Sequence, residues 1–279
     1  MIEFCGVHAS YDGERAILKG VDFAIGAGEF VSFVGTNGAG KSTTMRLMNG
    51  LLKPTQGEVR IDGERTVDLK TSQLARKVGF LFQNPDRQIC CNTVRDELLF
   101  GFKAQGTLGP DEEERVDGII RDLGLDAEAD PFLLNRGARQ LLALASIVVL
   151  EPAVVILDEP TTGLDYRECS AVMDIVDRLH KRGTTVVMVC HDMEVVADYA
   201  ERLIVMNDGQ VIDDGPTFEV LRRSQTLAKA SLVPPHAVGI SMEMVRRDPS
   251  LANTAIARAN TIDELVAAVE LVKRERGVR

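Results

Sequence analysis

Gly35-Thr36-Asn37-Gly38-Ala39-Gly40-Lys41-Ser42 is the stretch that decides the fold. The apolar run Glu29-Phe30-Val31-Ser32-Phe33-Val34 precedes it and reads as a buried strand, and a helical pattern from Thr43 to Leu51 follows it. Strand, glycine-rich loop and helix in that order make a phosphate-binding loop of the form G-x-x-x-x-G-K-[ST]. Its glycines let backbone N–H groups wrap close around phosphates, and the helix N-terminus meets the negative charge. Gly35, Thr36, Asn37, Gly38, Ala39, Gly40 and Thr43 are therefore expected at the phosphates. Lys41 is expected to reach the β- and γ-phosphates, and Ser42 to hold Mg²⁺.

A second motif completes the first. Val154-Val155-Ile156-Leu157-Asp158-Glu159 is an apolar strand ending in two acids. Asp158, at the strand end, is placed to hold the Mg²⁺ shell. Glu159 is placed to orient or deprotonate an attacking water.

Outward from these motifs, residues 2–34 read as β-structure, with Ile17-Leu18 and Val21–Ile25 as separate short pieces. Further strands are expected at Glu58–Ile61, Val78–Gln83, Ala153–Leu157, Thr184–Cys190 and Leu203–Met206. The middle, about 84–150, is mainly helical. Pro110 followed by four acids is a helix start, and Val116, Ile119, Ile120 and Leu123 share one face. Strands alternating with helices imply a largely parallel sheet covered on both faces. Past about 220 the character changes. Val233-Pro234-Pro235 interrupts regular structure, and the capping box Thr261-Ile262-Asp263-Glu264 opens a helix with Ile262, Leu265, Val266 and Val269 on one face.

With these parts in place, residues 2–220 resemble the ABC ATPase superfamily. Tyr11 sits where the family's aromatic stacks on adenine. Gln83, read as closing a strand, resembles the glutamine loop that senses Mg²⁺ and the membrane partner. Thr162-Gly163-Leu164-Asp165 resembles the loop whose Asp helps two subunits face each other. His191, after Val186–Cys190, resembles the switch histidine near the γ-phosphate. The resemblance implies an α/β P-loop NTPase core of the RecA-like type over 1–220, with a β-subdomain and a helical subdomain at about 84–150. Residues 221–279 would then be a small C-terminal extension and a candidate dimerisation element. Catalytic roles fall to Glu159, His191 and Gln83, with Ser42, Gln83 and Asp158 around Mg²⁺ and ATP as the substrate.

Gln83-Asn84-Pro85-Asp86-Arg87-Gln88 and Glu159–Arg167 are similar to the ATPases of energy-coupling factor transporters, which take up vitamins or transition-metal ions. That resemblance implies a second ABC ATPase, a transmembrane coupling subunit and a separate membrane substrate-binding subunit. One motif departs. The signature Leu-Ser-Gly-Gly-Gln appears as Leu134-Asn135-Arg136-Gly137-Ala138. In the family it caps the partner's γ-phosphate, so Asn135, Arg136 and Gly137 are expected to act there on altered chemistry, and a heterodimer with unequal sites is expected.

Bulk properties fit a globular ATPase. The 279 residues are 45% hydrophobic and 27% charged, with a net charge of −10. That balance argues against nucleic acid as the main ligand. The strongest apolar run, Leu141–Leu150, is too short to span a bilayer. The sequence Met1-Ile2-Glu3-Phe4 lacks the basic and apolar regions of a signal peptide. A peripheral position at the cytoplasmic face of the membrane is expected. The five cysteines are odd in number and match no zinc spacing, so reduced structural thiols are expected, with redox chemistry at Cys90-Cys91 the less favoured alternative. Two rival readings differ in class: a soluble ABC ATPase acting on nucleic acid or ribosomes, and a regulatory module that barely hydrolyses ATP. The interval from Lys41 to Asp158 leaves no room for the coiled-coil insertion common in the first. Intact Glu159 and His191 oppose the second, and the altered signature favours it.

Overall fold

Phe30–Gly35 is buried at every position and becomes the central strand of the computed structural model, which describes residues 2–275. Before the phosphate loop lie β1 (Ile2–Ala9), β2 (Leu18–Ile25) and β3 (Phe30–Gly35). After it come α1 (Lys41–Met48), β4 (Gln56–Ile61), β5 (Glu64–Arg65), α2 (Thr71–Leu74) and β6 (Val78–Leu81). Three helices follow with no strand between them: α3 (Val94–Gln105), α4 (Pro110–Leu123) and α5 (Arg136–Val148). Alternation then resumes with β7 (Val154–Asp158), α6 (Tyr166–Lys181), β8 (Thr185–Val189), α7 (Met193–Tyr199) and β9 (Arg202–Asn207). After β10 (Gln210–Pro216) come α8 (Thr217–Val220), α9 (Ser224–Ala230), α10 (His236–Arg247) and α11 (Ile262–Glu275).

Two sheets form. The larger runs β10-β9-β3-β8-β7-β6 and is parallel except for β10, which lies antiparallel on β9. Its strands β3, β7 and β8 are buried throughout, as a sheet covered on both faces requires. The smaller, antiparallel sheet runs β2-β1-β4-β5. Together with α1 it covers one face of the large sheet, where Phe4 and Phe23 stack with ring centroids 4.4 Å apart. Helices α3 to α7 cover the other face, and Val116 and Ile120 of α4 are buried there.

Several expectations change. The two short pieces expected around residues 17–25 are one continuous strand, β2. Helix α1 begins at Lys41 and stops at Met48, because the Asn49 side chain accepts the Leu51 N–H at 3.0 Å and turns the chain out of the helix. The strand expected to reach Gln83 ends at Leu81. A 3₁₀ turn at Pro85–Arg87, capped by Asn84, takes the chain off the sheet edge, so Gln83 lies in a loop. The edge strand β10 has no counterpart in the expected set. In α11 the capping box forms, with Thr261 Oγ1 accepting the Glu264 N–H at 3.2 Å and Glu264 Oε2 accepting the Thr261 N–H at 3.4 Å. The buried face is Leu265, Ala268 and Val272, however, while Ile262 and Val266 are exposed. The helix docks by that i, i+3, i+7 stripe onto Leu251 and Ile256, which no single-helix pattern could reveal. Val220, Leu221, Leu227, Ala230 and Val238 belong to the main core and Met242 packs against it, while Met244 and Val245 pack against the smaller cluster of Leu251, Ile256 and α11.

Candidate functional site

The carboxyl ends of parallel strands are where loops from adjacent strands meet, and the site lies there. β3 leads into the phosphate loop, β7 into Asp158-Glu159, β8 toward His191, and β6 toward Gln83. The loop's path needs glycine most sharply at Gly35 and Gly40. Gly35 has φ +140°, and a Cβ there would sit 1.9 Å from the Met206 carbonyl oxygen. Gly40 has φ +101°, and a Cβ would meet Leu18 at 2.5 Å. The Lys41 ammonium donates to the carbonyls of Gly35 (2.8 Å) and Thr36 (3.0 Å), closing the loop into a ring. Burial holds its pKa below the usual lysine range, against the raising influence of Glu159 and Asp158. The Ser42 hydroxyl donates to Asp158 Oδ1 at 3.3 Å. Burial raises the Asp158 pKa, with that hydrogen bond opposing. Two hard oxygen donors thus meet beside a buried cation, a donor set that suits Mg²⁺.

Glu159 is the hub. Its backbone is left-handed, φ 53°, a conformation costing a non-glycine residue about 1–3 kcal/mol. The Gln83 amide donates to Glu159 Oε2 at 2.7 Å and Thr162 Oγ1 donates to the same oxygen at 3.0 Å. His191 Nε2 lies 3.0 Å from Oε1. Three polar groups from three loops therefore fix one carboxylate. They do so at the wall of a cleft of about 770 Å³ whose lining includes Lys41, Ser42, Thr43, Glu159 and His191. Such a carboxylate can orient water and accept its proton.

Not every expected residue joins this group. Gln83 turns its amide nitrogen to Glu159, whereas the hydrogen bond of Ser42 is to Asp158. Tyr11 is absent from the cleft lining. Its hydroxyl accepts from Arg46 at 3.0 Å and lies 3.4 Å from Thr43 Oγ1, with the Arg46 guanidinium 5.9 Å from the ring centre. Asp165 caps α6 in a reciprocal box with Glu168. Asn135 caps α5 by accepting the Ala138 N–H at 2.7 Å, and Arg136 donates to the Thr162 carbonyl at 2.9 Å. Gly137 is where α5 meets α6, since a Cβ there would lie 2.1 Å from Glu168 Oε1.

Sequence reasoning passed over three further contributors. Buried Gln140 donates to the Pro160 carbonyl at 3.0 Å and ties α5 to the Glu159 turn. Arg15 and Lys19 line the cleft mouth. Neither has a spacing signal, because β2 and its preceding loop reach the phosphate loop only through sheet packing.

Comparison with known proteins identifies the family. The sequence model of the ABC transporter family matches residues 18–162, just over half the chain. The energy-coupling factor transporter ATP-binding protein EcfA2 of Acetivibrio thermocellus is 35% identical over 256 residues, 90% of this chain and 91% of that protein. A dimeric ATP-binding cassette in a post-hydrolysis state, bound to ADP and Pi, is similar in structure at TM-score 0.69 and 33% identity, over 78% of this chain and 99% of that one. Against other curated relatives, from Caldanaerobacter subterraneus and two Methanosarcina species, the chain spans only 38% to 43% of the relative's length. No described helix is long and apolar enough to cross a membrane. The chain belongs to the ABC transporter family, within the part that forms its ATP-binding cassette.

Proposed function

We propose that the chain binds and hydrolyses Mg²⁺–ATP to power an energy-coupling factor type importer for a vitamin or a transition-metal ion. The observation that carries this reading is the Glu159 carboxylate, held by Gln83, Thr162 and His191 beside Lys41 and the Ser42–Asp158 pair. Glu159 takes the proton of the attacking water, Lys41 offsets charge on the β- and γ-phosphates, and Ser42 and Asp158 hold the Mg²⁺ shell. Co-reconstituted in lipid vesicles with its membrane subunits, the chain should drive uptake that requires ATP on its own side of the bilayer. ATP turnover that those subunits leave unchanged, with no uptake, would favour the soluble reading.

The transmembrane coupling subunit has a fitting place to dock on the cytoplasmic face. A groove of about 300 Å³ runs between the β6 edge and α3, lined by Leu51, Phe82, Phe100, Gly101 and Leu150. Leu51 and Phe100 are 52% and 50% exposed, which is apolar surface that an amphipathic helix of a membrane subunit would cover. Gln83 lies directly upstream, so docking there reaches Glu159 through one side chain. Cysteines placed between Gln83 and Phe100 should cross-link to the transmembrane subunit. Cross-links arising only from the C-terminal segment would contradict this placement.

A second ATPase completes the site. Leu133 and Tyr166, beside the signature and the Asp165 loop, are 85% and 89% exposed and suit a face that another cassette covers. The signature it offers is weakened. Asn135 spends its side-chain oxygen on the α5 cap, and Arg136 is drawn onto the Thr162 carbonyl. Losing one donor to a transition-state phosphate typically costs about 3 kcal/mol, on the order of a hundredfold in rate. The partner's nucleotide should therefore turn over slowly while this chain's own is hydrolysed. In mixed dimers, Glu159→Gln here should stop most turnover and the equivalent partner change should stop little. Equal losses, or transport by the purified chain as a homodimer with itself, would refute the asymmetry.

A further inference from the structure

We propose that Cys90, Cys91 and Glu97 form a binding site for a thiophilic divalent cation of the zinc class. The cysteine pair lies in the loop between Gln83 and α3, and Glu97 lies in the first turn of α3. Folding brings one donor atom from each residue within 4.8 Å of the others. Cysteine side-chain rotation can reduce that spread toward the roughly 3.7 Å that separates thiolates on a tetrahedral zinc. Two sulfurs and one carboxylate select a borderline-soft ion over Mg²⁺ or Ca²⁺.

Glu97 supplies the second argument. It is only 3% exposed, and its partners are the backbone N–H groups of Cys90 and Cys91, both 2.9 Å from Oε2. Among the described residues no Lys, Arg or His forms an ion pair with it. A buried carboxylate served by neutral donors alone is costly, and a bound dication offsets that cost. The same N–H groups orient the carboxylate, as outer partners do in built metal sites. Cys90 is exposed, which gives the ion an entry path and leaves a fourth position for water. Burial first, and Glu97 second, push both thiols upward, Cys91 to about 12. Binding forms two metal–sulfur bonds and one metal–oxygen bond, and releases the two thiol protons to solvent. There is no change of oxidation state.

Glu97 also lines the apolar groove beside Phe100, so an ion here would pin the groove's rim to α3. The zinc-like spacing is missing from the sequence because the third ligand comes from a helix turn rather than from another cysteine pair.

Cadmium is the probe, titrated into the full-length chain kept reduced by a phosphine. A thiolate-to-cadmium ultraviolet band should saturate at one ion per chain, and zinc should displace it. Cys91→Ser and Cys90→Ser should each weaken binding by about a hundredfold or more, and Glu97→Gln by at least about tenfold. The amide oxygen that Glu97→Gln introduces can still accept both N–H groups, so that variant keeps its fold, and its unchanged melting temperature is the control. Cys5→Ser should leave the band intact. An undiminished band in the Cys90→Ser/Cys91→Ser double variant, or no band in the reduced wild-type chain, would overturn the site.

Discussion

Lys41→Ala is expected to lower ATP affinity on the order of a hundredfold and to abolish transport. The ammonium is the cation buried inside the phosphate loop, and removing one partner of a buried charge contact costs about 2–5 kcal/mol. The structure adds a consequence for the loop itself. Lys41 donates to the Gly35 and Thr36 carbonyls, so alanine frees both and loosens the ring. Those carbonyls can turn to water at the cleft, so the stability cost should stay near about 1–2 kcal/mol. Calorimetric titration of nucleotide beside a thermal melt separates the two effects. ATP affinity equal to that of the wild type would remove Lys41 from the phosphate site. A collapsed melt would show that its loop-closing bonds are its main work.

Glu159→Gln is expected to retain nucleotide binding and to lose turnover by about a hundredfold to ten-thousandfold, the usual contribution of a positioned general base. The amide keeps the shape and can still accept from Gln83 and Thr162, but it has no basic carboxylate. The left-handed backbone is unchanged by this substitution, so its strain does not confound the result. The variant should trap a nucleotide-bound dimer, visible by size-exclusion chromatography with ATP and absent with ADP. Single-turnover hydrolysis at this chain's own site is the decisive measurement. A rate close to wild type would assign the base elsewhere, and Gln83→Ala or His191→Ala would then be the next variants to compare.

The phosphate loop and the Asp158-Glu159 strand were legible because each is local. A glycine pattern bounded by a buried strand and a helix needs no distant information, and an apolar run ending in acids marks the carboxyl end of a parallel strand. The sheet itself was legible for the same reason, since runs such as Val186–Val189 are apolar throughout. Residues whose work depends on a second element were not. By pattern Gln83 closes a strand, yet the turn after it puts it in a loop, and there its amide reaches Glu159. Tyr11 matches a family position, but the contacts of its hydroxyl with Arg46 and Thr43 are visible only once α1 packs beside the loop after β1. Gln140 gave no signal because its partner is a backbone carbonyl 20 positions away.

The sequence by itself determined the loop that wraps phosphates, the acids that follow β7, the parallel core and the helical middle. Each rests on spacing and burial period, which neighbouring residues impose on one another. Tertiary structure alone decided which oxygens, nitrogens and sulfurs meet. It joined Gln83, Thr162 and His191 on one carboxylate, turned the Asn135 oxygen to an α5 cap, and set Glu97 under two cysteines. The physical reason is range. Backbone propensity acts over a few residues, whereas side-chain contacts between loops depend on how sheets and helices pack, which no local pattern encodes.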